Sequence, residues 1–160
     1  MTRSVRRRAA LVATAAALPV AIVVGVVTAR LTAARPVSVP EPPGSVTTRQ
    51  LCPKLIDSLP HRLGSLEGRK VEGAPRLTAA WGDPAVTLQC GMFATPSPLG
   101  AVVTLDGVDW SPVTDSRGVT WTTVGRKAAV RVLVPKKYDD QAPLLAQLSP
   151  RIVAVLPVGR

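Results

Sequence analysis

The sequence predicts an α+β protein. An N-terminal transmembrane helix should precede a small domain in which a mainly antiparallel sheet of about 4–6 strands packs against a short N-terminal helix and a C-terminal helix. Three observations favour this fold class. Residues 9–29 contain no charged side chain. Short runs of alternating apolar and polar residues fill the middle of the chain, and apolar residues recur at helical spacing before and after those runs.

Residues 9–29 form an apolar run of 21 residues, long enough to cross a bilayer as one helix. A helix of that length reaches about 31 Å, which matches the roughly 30 Å hydrocarbon core of a membrane. Four arginines within residues 1–8 precede the run, so we expect a cytoplasmic N-terminus and a domain outside the cell membrane after residue 30. A cleaved signal peptide is the alternative and would give a secreted domain, although its apolar core is typically about 7–15 residues.

The formal net charge of +10 does not indicate a nucleic-acid-binding protein. Five of the 20 basic residues flank the apolar run, so residues 31–160 carry 15 basic and 10 acidic residues. No stretch interleaves basic with aromatic residues, as nucleic-acid-binding surfaces do. The expected partners are the lipid bilayer, through residues 9–29, and an envelope protein or cell-wall component, with no nucleic acid.

Residues 30–48 are predicted to be a proline-rich linker. Prolines at positions 36, 40, 42 and 43 favour an extended and semi-rigid chain. A recognition motif for a proline-binding partner is the alternative. The extracytoplasmic α+β domain is then expected at residues 49–160.

A short amphipathic helix is predicted at the start of this domain. Its apolar face consists of residues at positions i, i+3, i+4 and i+7, which are Cys52, Leu55, Ile56 and Leu59. Pro53 suits the first turn of such a helix, and Pro60 is expected to end it.

The middle of the chain predicts a β-hairpin. Residues 77–81 and 85–92 have the composition of strands on either side of Gly82-Asp83-Pro84, which supplies the turn. The second strand alternates, so three of its apolar residues should share one face of the sheet: Val86, Leu88 and Cys90.

Three further strands are predicted at residues 101–105, 119–124 and 128–134. Asp106-Gly107 and Ser116-Arg117-Gly118 supply turn residues between the apolar runs. In the last strand, one face carries Val130, Val132 and Val134, and the other carries Ala129, Arg131 and Leu133. This pattern predicts a sheet with one face better buried than the other.

A C-terminal helix is predicted after Asp139 or Asp140, either of which can act as its N-cap. Its apolar stripe consists of Leu144, Leu145 and Leu148. After Ser149-Pro150 the spacing continues in Ile152, Val153 and Leu156, which predicts a second helical turn. A strand at residues 152–156 is the alternative, because the run is short and β-branched.

The two cysteines, Cys52 and Cys90, are predicted to form a disulfide. An even number of thiols in an exported domain is typical of a structural bridge. One cysteine lies on the predicted first helix and the other on the inward face of a predicted strand, so the bond would join helix to sheet. Cys52 lacks the second thiol of a CxxC redox motif, and it lies too far behind the apolar run to be a lipidated cysteine.

Several stretches of the sequence resemble one protein family. They are a cysteine that begins a short helix ending in LP, then AAWGDPAVTLQCG, VDW, TTVGR and VRVLVP, followed by Tyr138 and a leucine-rich tail with LSP. The similarity runs from about residue 50 to residue 157, and WGDPAVTLQCG is its most specific part. The family is an actinobacterial one described only as domain of unknown function 3515. The resemblance implies an uncharacterised exported domain behind one apolar helix, with no established activity.

No motif indicates an enzyme. The patterns GxSxG, SxxK, HExxH and GxxxxGK are absent. His61 is expected to be a surface side chain, since general-base catalysis needs a nucleophile and an orienting group beside the histidine. Asp106, Asp109 and Asp115 lack the spacing of a calcium loop and are expected to be solvated turn residues. We therefore expect no catalysis, no cofactor and no metal.

Two functions from different classes stay open. The first is an interaction module of the cell envelope. The second is a glycan- or peptide-binding protein, or an enzyme with an unrecognised site, at a candidate ligand surface formed by Asp109, Trp110 and Arg126. Core packing is the alternative for the tryptophans and is favoured for Trp81 and Trp121. For Arg126, the alternative is a buried ion pair with Asp83 or Asp106.

Overall fold

An eight-stranded antiparallel sheet lies at the centre of the computed structural model, which describes residues 35–93 and 100–159. The helices of the described residues are α1 (Val46–Ser58) and α2 (Ala142–Val155). The strands are β1 (Val37–Val39), β2 (Arg62–Leu63), β3 (Leu66–Arg69), β4 (Val71–Gly73), β5 (Thr78–Trp81), β6 (Val86–Met92), β7 (Val103–Leu105), β8 (Val108–Thr114), β9 (Gly118–Thr123) and β10 (Ala129–Pro135). The main sheet has the order β2-β3-β5-β6-β10-β9-β8-β7, and β1 and β4 form a separate parallel pair.

The predicted transmembrane helix at residues 9–29 and the cytoplasmic segment at residues 1–8 lie outside the described residues. Within the described ranges, no helix combines the length and the apolar character needed to cross a membrane.

The predicted fold class is confirmed as α+β, with a mainly antiparallel sheet and a helix near each end of the domain. The predicted number of about 4–6 strands is wrong, because the main sheet has eight. β2 and β3 lie in a glycine-rich, charged stretch without alternation. β8 was not predicted, because Pro112 interrupts its strand pattern. The proline is tolerated because the pairing of β8 with β7 ends at Trp110, so no partner on that side requires an N–H group at position 112.

The inner face of the main sheet carries both helices and the hydrophobic core. The alternation predicted for β6 and β10 is confirmed, since six inward side chains are fully buried: Val86, Leu88, Cys90, Val130, Val132 and Val134. Trp81 is buried as well, and Trp121 is partly buried against the same core, as predicted.

The predicted disulfide between Cys52 and Cys90 is confirmed. The two sulfur atoms are bonded, the Cα atoms are 5.6 Å apart, and both residues are fully buried. Gly91 follows with a φ of +96°, and a Cβ atom there would approach the Cγ atom of Arg49 to 3.0 Å. Glycine therefore allows α1 to lie close against the end of β6.

Helix α1 begins earlier than predicted, at Val46. Its apolar face is confirmed, because Cys52 and Leu55 are fully buried and Ile56 packs against the core. The prediction that Pro53 lies in the first turn is wrong, since the proline lies inside the helix. Proline has no N–H for the helical ladder, and burial of the neighbouring apolar side chains stabilises the helix despite that loss.

Residues 36–45, which we call the strap, fall in the stretch predicted to be a linker but pack against the domain. β1 lies in the strap and pairs in parallel with β4. Val39 at the end of β1 is only 3% exposed. The sequence did not indicate this strand, because a three-residue run between prolines carries too little periodicity.

The strap crosses the outer face of the main sheet, which is the face opposite the helices. Gln89 lies on that face, because it alternates along β6 with the inward Leu88 and Cys90. Its Nε2 atom donates a hydrogen bond to the carbonyl oxygen of Pro40 at 2.7 Å. The chain therefore passes over the outer face before α1 enters the inner layer.

Helix α2 runs without a break through Pro150, so neither a restart after Ser149-Pro150 nor a strand at residues 152–156 is found. The N-cap residue is Gln141, so the expected capping by Asp139 or Asp140 is wrong. Gln141 is instead held by the Nε1 atom of Trp121, which donates to its Oε1 atom at 2.6 Å. Five apolar residues of the predicted stripe are buried, namely Leu144, Leu145, Leu148, Ile152 and Leu156, whereas Val153 is exposed.

The Cys52–Cys90 bond should contribute strongly to stability. The two residues are 38 positions apart, and closing a loop of that size stabilises a fold by about 4 kcal/mol in the chain-entropy model. A double variant with Cys52→Ala and Cys90→Ala should lose about 4 kcal/mol of unfolding free energy, measured by urea denaturation of the full chain in detergent. Reduced wild-type protein should behave like the variant, and two reactive thiols in the unreduced native protein would contradict the bond.

Candidate functional site

Trp110, which the sequence assigned to a candidate ligand surface, lies in the hydrophobic core and is fully buried. Its Nε1 atom donates a hydrogen bond to the Oγ atom of Ser149 at 3.2 Å. The Ser149 hydroxyl in turn donates to the carbonyl oxygen of Leu145 at 3.0 Å. The indole therefore fixes α2 against β8 and presents no face to a ligand.

Arg126 is also buried, with 8% of its surface exposed. Its guanidinium donates to the carbonyl oxygen of Leu156 at 3.0 Å and to that of Gly107 at 2.7 Å. These carbonyls, and neither Asp83 nor Asp106, are its partners. Arg126 therefore links the end of α2 to the turn between β7 and β8.

Asp109 is exposed, and its carboxylate accepts a hydrogen bond from the Thr104 hydroxyl at 2.6 Å. Asp109 and Trp110 are neighbours on one strand, so their side chains point to opposite faces of the sheet. The structure thus places Asp109 in solvent, and Trp110 and Arg126 inside the domain.

His61 is exposed, as predicted for a surface histidine. His61 lines a groove of about 700 Å³. Two charged side chains of this groove already have protein partners. Glu67 pairs with Arg62 at 3.0 Å, and Arg69 donates to the carbonyl oxygen of Gly82 at 2.8 Å. Within residues 35–93 and 100–159, no three His, Cys, Asp or Glu side chains lie close enough to hold a metal ion together.

A second groove, of about 630 Å³, lies on the outer face of the main sheet between the strap and the turn that joins β8 to β9. We call it the outer groove. Its floor is formed by outward side chains of β6, β9 and β10: Thr87, Gln89, Thr120, Thr122, Arg131 and Leu133. Its walls include Val39, Pro40, Glu41 and Pro43 on the strap side, and Val113, Asp115 and Arg117 on the hairpin side.

Arg131 lies at the centre of this floor. It is opposite Gln89 on β6 and opposite Thr122 on β9, so polar side chains flank it on both neighbouring strands. The side chain is exposed, and no described residue forms a hydrogen bond or an ion pair with its guanidinium.

The other arginine of the outer groove, Arg117, is already paired. Its Nη2 atom lies 2.7 Å from an Asp115 carboxylate oxygen. The backbone N–H groups of Arg117 and Gly118 donate to the second oxygen at 2.8 and 3.3 Å. The Arg117 side chain and then its N–H hold the Asp115 pKa below its ordinary value. Asp115 is therefore an anion at neutral pH, and the Arg117 guanidinium is its ion-pair partner.

The outer groove offers the chemistry of binding. Threonine hydroxyls can donate or accept hydrogen bonds, Arg131 can hold an anion, and the walls supply apolar contacts. The described residues that line the groove include no histidine, cysteine or lysine, so they supply no imidazole base and no thiol or amine nucleophile.

The alternation of residues 128–134 predicts the face on which Arg131 lies, but it does not distinguish Arg131 as a binding residue. The available signal was a charge in the middle of an apolar run, VRVLV, beside a strand with repeated threonines, TWTT. The sequence did not reveal that the strap would form one wall of a groove over that face.

One family model matches the chain, over residues 12–160, and its description is "Protein of unknown function (DUF3515)". No curated protein and no solved structure is similar enough to match.

Arg126 should be a structural residue. Arg126→Met keeps the length of the side chain but leaves two carbonyl acceptors without their donor, so it should lower the unfolding free energy by about 3 kcal/mol. Arg131→Met is the matched control and should change it by less than about 0.5 kcal/mol, because the side chain is exposed. Urea denaturation of both variants tests this contrast, and equal losses would contradict it.

Proposed function

The chain belongs to the DUF3515 family of proteins of unknown function, and from this starting point we propose that it is a membrane-anchored, extracytoplasmic binding domain. In this proposal it recognises a component of the cell envelope and catalyses no reaction.

The membrane anchor is supported by the uncharged run at residues 9–29 and the arginines that precede it. The family match begins at residue 12, inside this run, so most of the run belongs to the region that the family shares. The buried Cys52–Cys90 bond supports an extracytoplasmic location, because structural disulfides persist in oxidising compartments and are rare in the cytosol.

The outer groove is the feature that most directly supports the binding function. Its floor consists of three adjacent strands, and strands hold functional side chains more rigidly than loops do. It is concave, combines apolar walls with a few polar groups, and exposes a guanidinium that has no partner among the described residues. These are the properties of a ligand site.

The alternative site at Asp109, Trp110 and Arg126 has less support. Stacking of a ligand on Trp110 would require the indole to leave the core and its bond to Ser149. Arg126 would have to release its hydrogen bonds to the carbonyl groups of Leu156 and Gly107. The outer groove is therefore the better-supported site.

The topology can be tested with reporter fusions at the C-terminus of the full chain. Alkaline phosphatase, which is active only outside the cytoplasm, should be active, and a cytoplasm-dependent fluorescent protein should be dark. Sodium carbonate extraction should leave the full-length chain in the membrane fraction. A fluorescent cytoplasmic fusion would refute the location, and a shortened, soluble product would favour the cleaved signal peptide.

The binding function can be tested with photocrosslinking in living cells. p-Benzoylphenylalanine at Thr122, on the groove floor, should give a discrete adduct. The same amino acid at Ala154, an exposed position on α2 away from the groove, should not. The adduct at Thr122 should weaken when Arg131→Gln is added. Equal labelling at both positions, or none at Thr122, would contradict the proposal.

A further inference from the structure

We propose that the outer groove binds an extended peptide and that the Arg131 guanidinium receives one carboxylate of that peptide. This inference rests on the proposed binding function and specifies its ligand class.

The charge of the groove favours a single negative group. Two arginines and two carboxylates line it, so its lining has no net charge. Arg117 pairs with Asp115, and Glu41 pairs with Arg49 outside the groove. Arg131 is the one cation of the described lining without such a partner. A planar guanidinium forms two parallel hydrogen bonds with a carboxylate, which makes that group the best match.

A phosphate fits this groove less well than a carboxylate. A phosphate monoester carries a charge of about −1.5 to −2 at neutral pH and usually meets several cationic groups or backbone N–H donors. Here one guanidinium is available, and the carboxylates of Glu41 and Asp115 face the same space. Their repulsion increases with the charge of the ligand, so a monoanion is preferred.

The strap shows that this surface accommodates an extended polypeptide. The strap lies on the outer face as a proline-rich, extended chain, and Gln89 on the groove floor donates a hydrogen bond to one of its backbone carbonyl groups. Thr87, Thr120 and Thr122 occupy the same face of the floor. Their hydroxyls can bond the amide groups of a second extended chain in the same way.

The apolar walls favour a peptide over a saccharide. Pro40 and Val113 in the walls, and Leu133 in the floor, offer contacts for aliphatic side chains. No tryptophan, tyrosine or phenylalanine is among the described residues that line the groove, so it has no aromatic platform on which a sugar ring could stack.

Affinity selection of soluble N-acetylated octapeptides by the full chain in detergent, read by mass spectrometry, tests the proposal. One peptide pool has a free C-terminal carboxylate and no Asp or Glu. A second pool has an amidated C-terminus and includes Asp and Glu. A third pool is amidated and lacks Asp and Glu, so it has no carboxylate. The wild-type protein should retain peptides from the first or second pool and not from the third, and the pool identifies whether the carboxylate is terminal or in a side chain.

Arg131→Gln should weaken binding of the retained peptides by about tenfold or more, the usual effect of losing a charge-assisted hydrogen bond. Arg131→Lys should restore only part of the affinity, because an ammonium group lacks the planar fork. Arg151→Gln, which removes an exposed charge from α2, is the matched control and should bind like the wild type. Unchanged urea denaturation midpoints of all three variants exclude misfolding as the cause.

Equal retention from the third pool, no retention from any pool, or unchanged affinity of Arg131→Gln would overturn the carboxylate assignment. These results are distinguishable from failure of the proposed function. A crosslink at Thr122 in cells reports a groove ligand of any chemistry, whereas the peptide pools report only this ligand class.

Discussion

The structure depends on the separation of the main sheet into two chemically different faces. Alternation along β6 and β10 directs valine, leucine and cysteine to the inner face and threonine, glutamine and arginine to the outer face. Burial of the inner face under α1 and α2 provides the hydrophobic stabilisation of the domain. The Cys52–Cys90 bond fixes α1 on this face covalently. The outer face is thereby left to the strap and to solvent.

The contrast between two arginines shows how burial decides the role of a side chain. Arg126 is buried, and its guanidinium donates hydrogen bonds to the backbone carbonyl groups of Leu156 and Gly107. Arg131 lies only five residues away in the sequence but on the outer face, where no described group engages it. Arg126 therefore has a structural role, and Arg131 is the better candidate for binding a ligand.

Periodicity predicted the parts of the fold whose residues repeat. The inward faces of β6 and β10 and the apolar stripes of α1 and α2 follow from residue spacing. The disulfide follows from the even number of cysteines together with the expectation that the domain is exported. β2, β3 and β8 were not predictable in this way, because glycines, charges and Pro112 interrupt their alternation, and pairing with neighbouring strands of the sheet stabilises them instead. The helical continuity of α2 through Pro150 likewise depends on the buried residues around it, Leu148 and Ile152.

The candidate site was the least predictable part. Trp110 and Asp109 are adjacent in the sequence but lie on opposite faces. The outer groove, in contrast, combines strap residues with strand residues that lie 44 (Pro43 to Thr87) to 95 (Ser38 to Leu133) positions away.

The position of the disulfide also determines how the domain carries mechanical load. A force applied to the chain before the strap can extend it only as far as Cys52. At Cys52 the disulfide transmits the force to Cys90 in β6. The 37 residues between the two cysteines are bypassed by this path and cannot be extended while the bond is intact. The tension therefore enters at β6, which pairs directly with β10, the strand of Arg131. A ligand bound in the outer groove would therefore be mechanically connected to the chain before the strap through the pairing of β10 with β6 and through the disulfide.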